Sequence, residues 1–152
     1  MKSFLSRLVS RLDIDSGNTR VGLVKYYTSV SNGFNLSDHL SLSSVQSAIS
    51  SVSYQGGGTS ASVALRYVRT TMLTPEAGDR PNVPNVVVVL TDGRSQDIEA
   101  TKVSIRFTEC VLSQIEKAVC CNMHGTGIQL LNSAIAKMSC RKLRYLDISI
   151  HI

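Results

Sequence analysis

Residues 85–93 read NVVVVLTDG, an unbroken apolar run that ends on a Thr-Asp-Gly turn. A run of this kind, without alternating polar residues, is typical of a strand buried on both faces of a parallel sheet. Asp92 follows the strand directly, and doubly wound α/β sheets place their ligands at the carboxyl ends of their strands. The stretch therefore predicts an α/β domain with a candidate site at the end of this strand.

The residues before this strand predict alternating helices and strands. Apolar residues recur every three or four positions in the helices, whereas β-branched and aromatic residues mark the strands. The predicted elements are a helix at 1–12, a strand at 20–27, an antiparallel partner strand at 28–36, and helices at 41–52 and 61–73. In the last helix Val63, Leu65, Val68 and Met72 are expected to face the core.

The first helix allows two interpretations. It carries Arg and Ser but no acidic residue before Asp13, a composition typical of a mitochondrial transit peptide. A secretory signal peptide is not expected, because Arg7 and Arg11 interrupt the apolar stretch that such a signal needs. Since a regular α/β pattern follows, we favour a helix that packs on the core.

Composition changes towards the end of the chain. The 152 residues suffice for one domain. Residues 1–100 contain nine Lys and Arg against eight Asp and Glu, whereas residues 101–152 contain seven against three. All four cysteines also lie after residue 109. The net charge of +5 therefore belongs mostly to the last third of the chain.

Several function classes find no support. No apolar run exceeds five residues, far short of the roughly 20 needed to cross a bilayer. The cysteines lack the Cys-x-x-Cys spacing of a zinc site. The basic segment has one Tyr among its Lys and Arg residues, so nucleic-acid binding is not expected. No Gly-x-Ser-x-Gly, His-Glu-x-x-His or dinucleotide glycine pattern is present, so we predict that the protein is not an enzyme.

Two positions have the chemistry of a metal site. Gly56 to Gly58 form a loop that opens onto a helix at Thr59, and the loop lacks the Lys of a phosphate-binding P-loop. Asp92 lies at the end of the apolar strand. A hydroxyl and a carboxylate are hard oxygen ligands suited to Mg²⁺ or Mn²⁺. Thr59 and Asp92 are therefore the candidate ligands.

The sequence resembles the von Willebrand factor A domain of collagen VI-like and matrilin-like chains. The resemblance rests on RVGLVKY, GGGTSASVAL and VVVVLTDGRS, and it covers about residues 1–102. It implies a doubly wound, mostly parallel sheet with helices on both faces and a metal-ion-dependent adhesion site at the carboxyl edge. In that site Thr59 and Asp92 match the family's threonine and aspartate, and the bound Mg²⁺ captures a partner's carboxylate.

Two departures from the family pattern limit this reading. The family's Asp-x-Ser-x-Ser ligands follow a first central strand upstream of the helix at 1–12, and this sequence shows neither. The strands at 20–27 and 85–91 are then expected to lack their shared neighbour. Residues 103–152 form a divergent segment with plausible helices at 109–121 and 127–139. The segment 145–152, YLDISIHI, alternates like a strand and partly imitates the missing motif, but we do not expect it to replace that motif.

These features predict an extracellular adhesion or matrix-binding module, part of a longer parent chain and without a signal peptide of its own. Its expected partners are matrix proteins such as collagens or other adhesion proteins, and its metal site is expected to be incomplete. The alternatives are a metal-independent structural matrix module and an intracellular A-domain scaffold. Asn35-Leu36-Ser37 is an N-glycosylation triplet, so glycosylated Asn35 would favour the extracellular readings.

Overall fold

The computed structural model of the chain describes residues 2–53, 58–91, 115–122 and 146–151, and in residues 91, 115–122 and 146–151 it describes the backbone only. The helices are α1 (Lys2–Val9), α2 (Leu42–Ser51) and α3 (Ala61–Tyr67), which continues into a π-helical turn at Val68–Met72 and is followed by a 3-10 turn at Pro75–Ala77. The strands are β1 (Thr19–Tyr26), β2 (Val30–Phe34), β3 (Asn85–Thr91), β4 (Ile115–Asn122) and β5 (Leu146–His151).

The five strands form one sheet in the order β2-β1-β5-β3-β4. β2 pairs antiparallel with β1, as predicted, and the other pairs are parallel. The predicted strand at 85–91 has the bounds that the structure gives to β3. The α/β class is confirmed.

Helices cover both faces of the sheet. On one face α1 and α2 pack through Leu5, Val9 and Ile49 against alternate strand residues such as Val86 and Val88. On the other face α3 packs through Ala64 and Leu65, and there the strand partners include Val87 and Val89. Consecutive strand residues point to opposite faces, so β3 has an apolar core on each side. This is why its sequence lacks alternation.

The helix at the start of the chain is part of this core. Phe4, Leu5, Leu8 and Val9 of α1 are all buried. The packed helix is therefore the interpretation that the structure supports. No helix in the described part of the chain combines the length and apolar content that a membrane span needs.

The predicted helix at 109–121 is wrong for residues 115–121, because Ile115–Asn122 is the strand β4. Its register runs from Asn85 opposite Ile115 to Thr91 opposite Asn122. Backbone pairing with β3 overrides the helical spacing of the local apolar residues, a tertiary effect that propensity does not contain. The predicted helix at 127–139 lies outside the described residues.

The expectation that β1 and β3 lack a shared neighbour is also wrong. β5 lies between them, with Val21 and Val86 opposite Ile148 from either side. Residues 146–151 thus form the strand that their alternation predicted. The division of the chain at residue 102 stays a prediction, although β4 and β5 belong to the same sheet as β1–β3.

One inward position in α3 differs from expectation. Leu65, Val68 and Met72 are buried as predicted, whereas Val63 is 44% exposed. Val63 and Leu65 are two residues apart in regular α3, so their side chains are separated by about 200° around the helix axis and do not both face the core.

Candidate functional site

The candidate site lies at the carboxyl edge of the sheet. β1, β5 and β3 are parallel neighbours, and His151 is opposite Val24 on one side and Val89 on the other. Two residues further along, β1 reaches Tyr26 and β3 reaches Thr91, where both strands end. The carboxyl ends of β1 and β3 therefore lie at the same edge of the sheet.

A buried hydrogen bond holds these two strand ends together. The Tyr26 hydroxyl donates to the backbone carbonyl oxygen of Leu90 at 3.0 Å. Tyr26 is 9% exposed and Leu90 is 1% exposed, so this bond is shielded from water. Such shielding strengthens a polar contact and makes its loss more damaging.

The loop that carries Thr59 is attached to the same edge. The Ser60 N–H donates to the Tyr27 carbonyl oxygen at 2.9 Å. The Gly58 N–H donates to the Thr28 hydroxyl at 3.2 Å. Both acceptors directly follow β1, and Thr59 lies between the two donors in sequence, half-buried. The structure therefore places Thr59 at the carboxyl edge, next to the end of β1.

Sequence reasoning missed the residues that fix this loop. The loop is fixed by the Tyr27 carbonyl oxygen and the Thr28 hydroxyl, and the Tyr26 hydroxyl at the same strand end binds Leu90 of β3. The available signal was a run of hydroxyl-bearing residues directly after a buried strand, at the position where α/β sheets place their ligands.

Asp92 lies outside the described residues. It follows Thr91, the last residue of β3, whose backbone is at the carboxyl edge. Its assignment as a ligand stays a prediction, as does that of Thr59.

The Asp-Ile-Ser segment of β5 belongs to the other end of the sheet. Asp147 is opposite Arg20 and Asn85, the latter being the first residue of β3. Asn85 and Thr91 are separated along the strand by roughly 20 Å at about 3.3 Å per residue. The backbone of Asp147 is therefore far from Thr59, in agreement with the expectation that this segment does not replace the missing motif.

The described residues do not by themselves fit a divalent cation. Mg²⁺ requires about six oxygen ligands in near-octahedral geometry, some of which are waters. Of the two predicted ligands, the described residues include the hydroxyl of Thr59 alone, and they contain no group of three or more His, Cys, Asp or Glu side chains placed to hold a metal. One hydroxyl does not form a metal site.

The glycosylation triplet lies in the turn after β2. The Asn35 side-chain oxygen accepts from the Asn32 amide at 2.8 Å, and the Asn35 N–H donates to the Asp38 carboxylate at 2.7 Å. Asn35 is half-buried and Leu36 is fully buried. Modification of Asn35 stays a prediction.

Comparison with known proteins identifies a matrilin and a collagen chain among the matches. Human matrilin-1 is 37% identical over 97 residues, which are 64% of this chain and 20% of matrilin-1. The mouse collagen alpha-4(VI) chain is 39% identical over 99 residues, which are 64% of this chain and 4% of that protein. This chain thus spans about a fifth of the length of matrilin-1 and a much smaller part of the collagen chain.

The fold is also found among solved structures. Proximal thread matrix protein 1 from the mussel byssus, in a structure titled with a zinc-occupied MIDAS motif, superposes with a TM-score of 0.74 at 20% identity. The superposition covers 89% of this chain and 41% of the mussel protein. The sequence model of the von Willebrand factor type A domain matches residues 1–120, most of the chain. The chain therefore belongs to the von Willebrand factor type A domain family.

Proposed function

We propose that this chain is an extracellular protein-binding module of the matrix type. It holds a partner protein, such as a collagen or another adhesion protein, at the carboxyl edge of its sheet. Support comes from the family and from the relatives, which are named as a matrilin and a collagen chain. The structural observation that carries the proposal is the loop at residues 58–60, held at that edge by Tyr27 and Thr28.

A fixed loop at a sheet edge suits protein binding. Loops carry function when a rigid scaffold positions them. Here the scaffold is the ends of the buried strands β1 and β3, which the hydrogen bond from the Tyr26 hydroxyl to Leu90 joins. Pre-organisation of this kind lowers the ordering cost of association. Binding is favoured over catalysis because the relatives are named as a matrilin and a collagen chain and not as enzymes.

In this proposal the partner is held by direct protein contacts and no cation is required. The supporting observation is that protein atoms hold the loop at the edge, since the Ser60 N–H donates to the Tyr27 carbonyl oxygen and the Gly58 N–H donates to the Thr28 hydroxyl. Mg²⁺ or Mn²⁺ held partly by Thr59 and Asp92 is the alternative for the same edge. The two mechanisms differ in their dependence on divalent ions.

Biolayer interferometry of the full chain on immobilised collagen tests the proposal. We expect saturable binding that stays the same when millimolar Mg²⁺ is replaced by EDTA. Thr59→Ala should weaken it by about fivefold or more, the effect of losing roughly 1 kcal/mol at an interface contact. Thr70→Ala is the matched control, because Thr70 is exposed on the π-helical turn, away from the loop at residues 58–60.

Each contrary result has a defined meaning. Absence of saturable binding to any collagen tested would overturn the module as proposed. Loss of binding in EDTA, together with loss in Asp92→Ala, would replace direct contact with the cation-dependent mechanism. Circular dichroism of each variant separates a binding defect from a folding defect.

A further inference from the structure

A cavity that is open to solvent lies between β2 and α2. Its volume is about 430 Å³. The polar lining comprises Lys25, Asn32, His39, the α2 serines 44, 47 and 51, and Ser53. A volume of this order is in the range of small-molecule sites, which extends from about 300 to 1,000 Å³.

The helix face that borders this cavity is polar, and it is distinct from the apolar face of α2 that packs on the core. Ser44, Ser47 and Ser51 recur at helical spacing towards the cavity, whereas Val45 and Ile49 point into the core. Apolar surface remains only in part of the lining, from Phe34, Ala48 and Val52. The cavity therefore offers hydroxyl groups above a partly apolar floor, a combination suited to a hydroxylated ligand.

Lys25 gives the cavity its charge. Strand alternation places Lys25 on the same sheet face as Val21 and Leu23, under α2. It is half-buried, and no carboxylate among the described residues pairs with it. None of the residues that line the cavity is acidic. A lysine in a cavity lining that contains no acidic side chain favours a negatively charged ligand, because the two opposite charges attract each other.

His39 adds a fixed ring nitrogen. Its Nδ1 is 2.7 Å from the Ser44 hydroxyl, and its ring makes an edge contact with Phe34 at a centroid distance of 4.9 Å and an angle of 82°. These two contacts set the ring orientation. The other ring nitrogen, Nε2, has no hydrogen bond to the described residues, so it can bind a ligand atom without losing an internal contact.

We propose that this cavity binds a single oxyanion carried on a sugar-sized, hydroxylated molecule. Lys25 pairs with the oxyanion, and His39 and Asn32 bind it or its carrier with the α2 serines. Sulfate, phosphate and carboxylate share the required chemistry. The site is separate from the carboxyl-edge loop at residues 58–60, so this proposal does not depend on the proposed function.

Titration of the ¹⁵N-labelled full chain by NMR tests the site. The probes are glucose 6-sulfate, glucose 6-phosphate, glucuronate, sodium sulfate and uncharged glucose. We expect saturable shifts of the amides of Lys25, Asn32, His39 and Ser47 with at least one charged sugar, and weaker binding of sodium sulfate. Uncharged glucose should give no saturable shifts. The ranking of the three charged sugars identifies which oxyanion the cavity prefers.

A matched pair of variants separates specific binding from general attraction to a basic chain. Lys25→Gln should weaken binding of the preferred sugar by about tenfold or more, as expected for loss of a charged hydrogen-bonding partner. Arg11→Gln removes the same charge from an exposed position on another surface and should change binding by less than about twofold. If Lys25→Gln does not fold, the test rests on the wild-type chain alone, in which charged sugars should give saturable shifts and uncharged glucose should give none.

Three results would overturn the site. One is the absence of saturable shifts at the cavity with every charged sugar. Another is equal weakening by Lys25→Gln and Arg11→Gln, which would show diffuse electrostatic attraction. The third is a Lys25→Gln variant that binds normally but is less stable, which would assign Lys25 to stabilisation of the adjacent helix end.

Discussion

Gly78 and Gly17 are the two described residues with left-handed backbone geometry, at φ of 94° and 77°. Their surroundings differ. A Cβ atom on Gly78 would lie 2.7 Å from both the Cβ and the backbone nitrogen of Ser37, whereas one on Gly17 would meet nothing within 4 Å. Gly78 thus lets the turn after the 3-10 helix pack directly on the turn that follows β2.

Alanine at these two glycines separates backbone strain from crowding. We expect Gly17→Ala to lower the free energy of unfolding by about 1 kcal/mol, from left-handed strain alone. Gly78→Ala should lower it by a further 1 to 3 kcal/mol or so, because backbone atoms of Ser37 must also move. Urea denaturation followed by circular dichroism measures both values. Equal losses in the two variants would contradict the close packing of Gly78 on Ser37.

At the scale of elements, α2 depends on two caps. The Ser41 hydroxyl accepts from the Ser44 N–H at 3.3 Å. The Asp15 carboxylate accepts from the Leu42 N–H at 2.8 Å, although it is 27 residues away in sequence. The second cap links the turn before β1 to the helix that borders the oxyanion cavity. A negative charge at a helix amino end also interacts favourably with the helix dipole.

The two caps should have separable contributions to stability. Asp15→Ala and Ser41→Ala are each expected to lower the free energy of unfolding by about 1 kcal/mol, the usual value of an N-cap side chain. Ser16→Ala is the control for Asp15, since Ser16 is exposed and adjacent. Amide hydrogen exchange in α2 provides the local readout. Unchanged exchange in Asp15→Ala would show that the long-range cap does not stabilise the helix.

Elements whose burial is encoded locally were predictable. Val86 to Leu90 contact apolar cores on both faces, so an unbroken apolar run is what their positions require. Residues 115–121 were mispredicted because their apolar residues also fit a helix, and the deciding factor is pairing with β3. At the site, the edge position of Thr59 was implied by the resemblance to the A-domain family, whereas the bonds from Gly58 and Ser60 that fix it depend on tertiary structure.

At the scale of the whole molecule, β5 joins the two halves of the sheet. β1 with β2 lies on one side, and β3 with β4 lies on the other. Among the described strands, neither β1 nor β2 pairs with β3 or β4. Sequence alone could not place β5 at the centre, because its alternating pattern is typical of a half-buried strand and its partners lie far away in the chain.

Removal of β5 should therefore unfold the domain. A chain that ends at Tyr145 is expected to lose its cooperative unfolding transition, because β1 and β3 lose backbone hydrogen-bond partners along their length. The free energy of unfolding of a domain is only about 5 to 15 kcal/mol, which is too small to offset this loss. A chain that ends at His151 keeps β5 and serves as the control. Thermal and urea melts compare the two. A truncated chain with an unchanged midpoint would contradict the central position of β5.

The position of β5 also governs the order of events during synthesis. Thr19 pairs with Leu146, so the sheet closes only after nearly the whole described chain has been made. Between Thr91 and Leu146 a ribosome adds residues for roughly 3 to 11 s at usual translation rates. During that interval the valines of β3 have no partner on the β5 side, and such a segment is prone to aggregate. We therefore expect residues 86–90 to be a chaperone-binding segment of the newly made chain until β5 emerges.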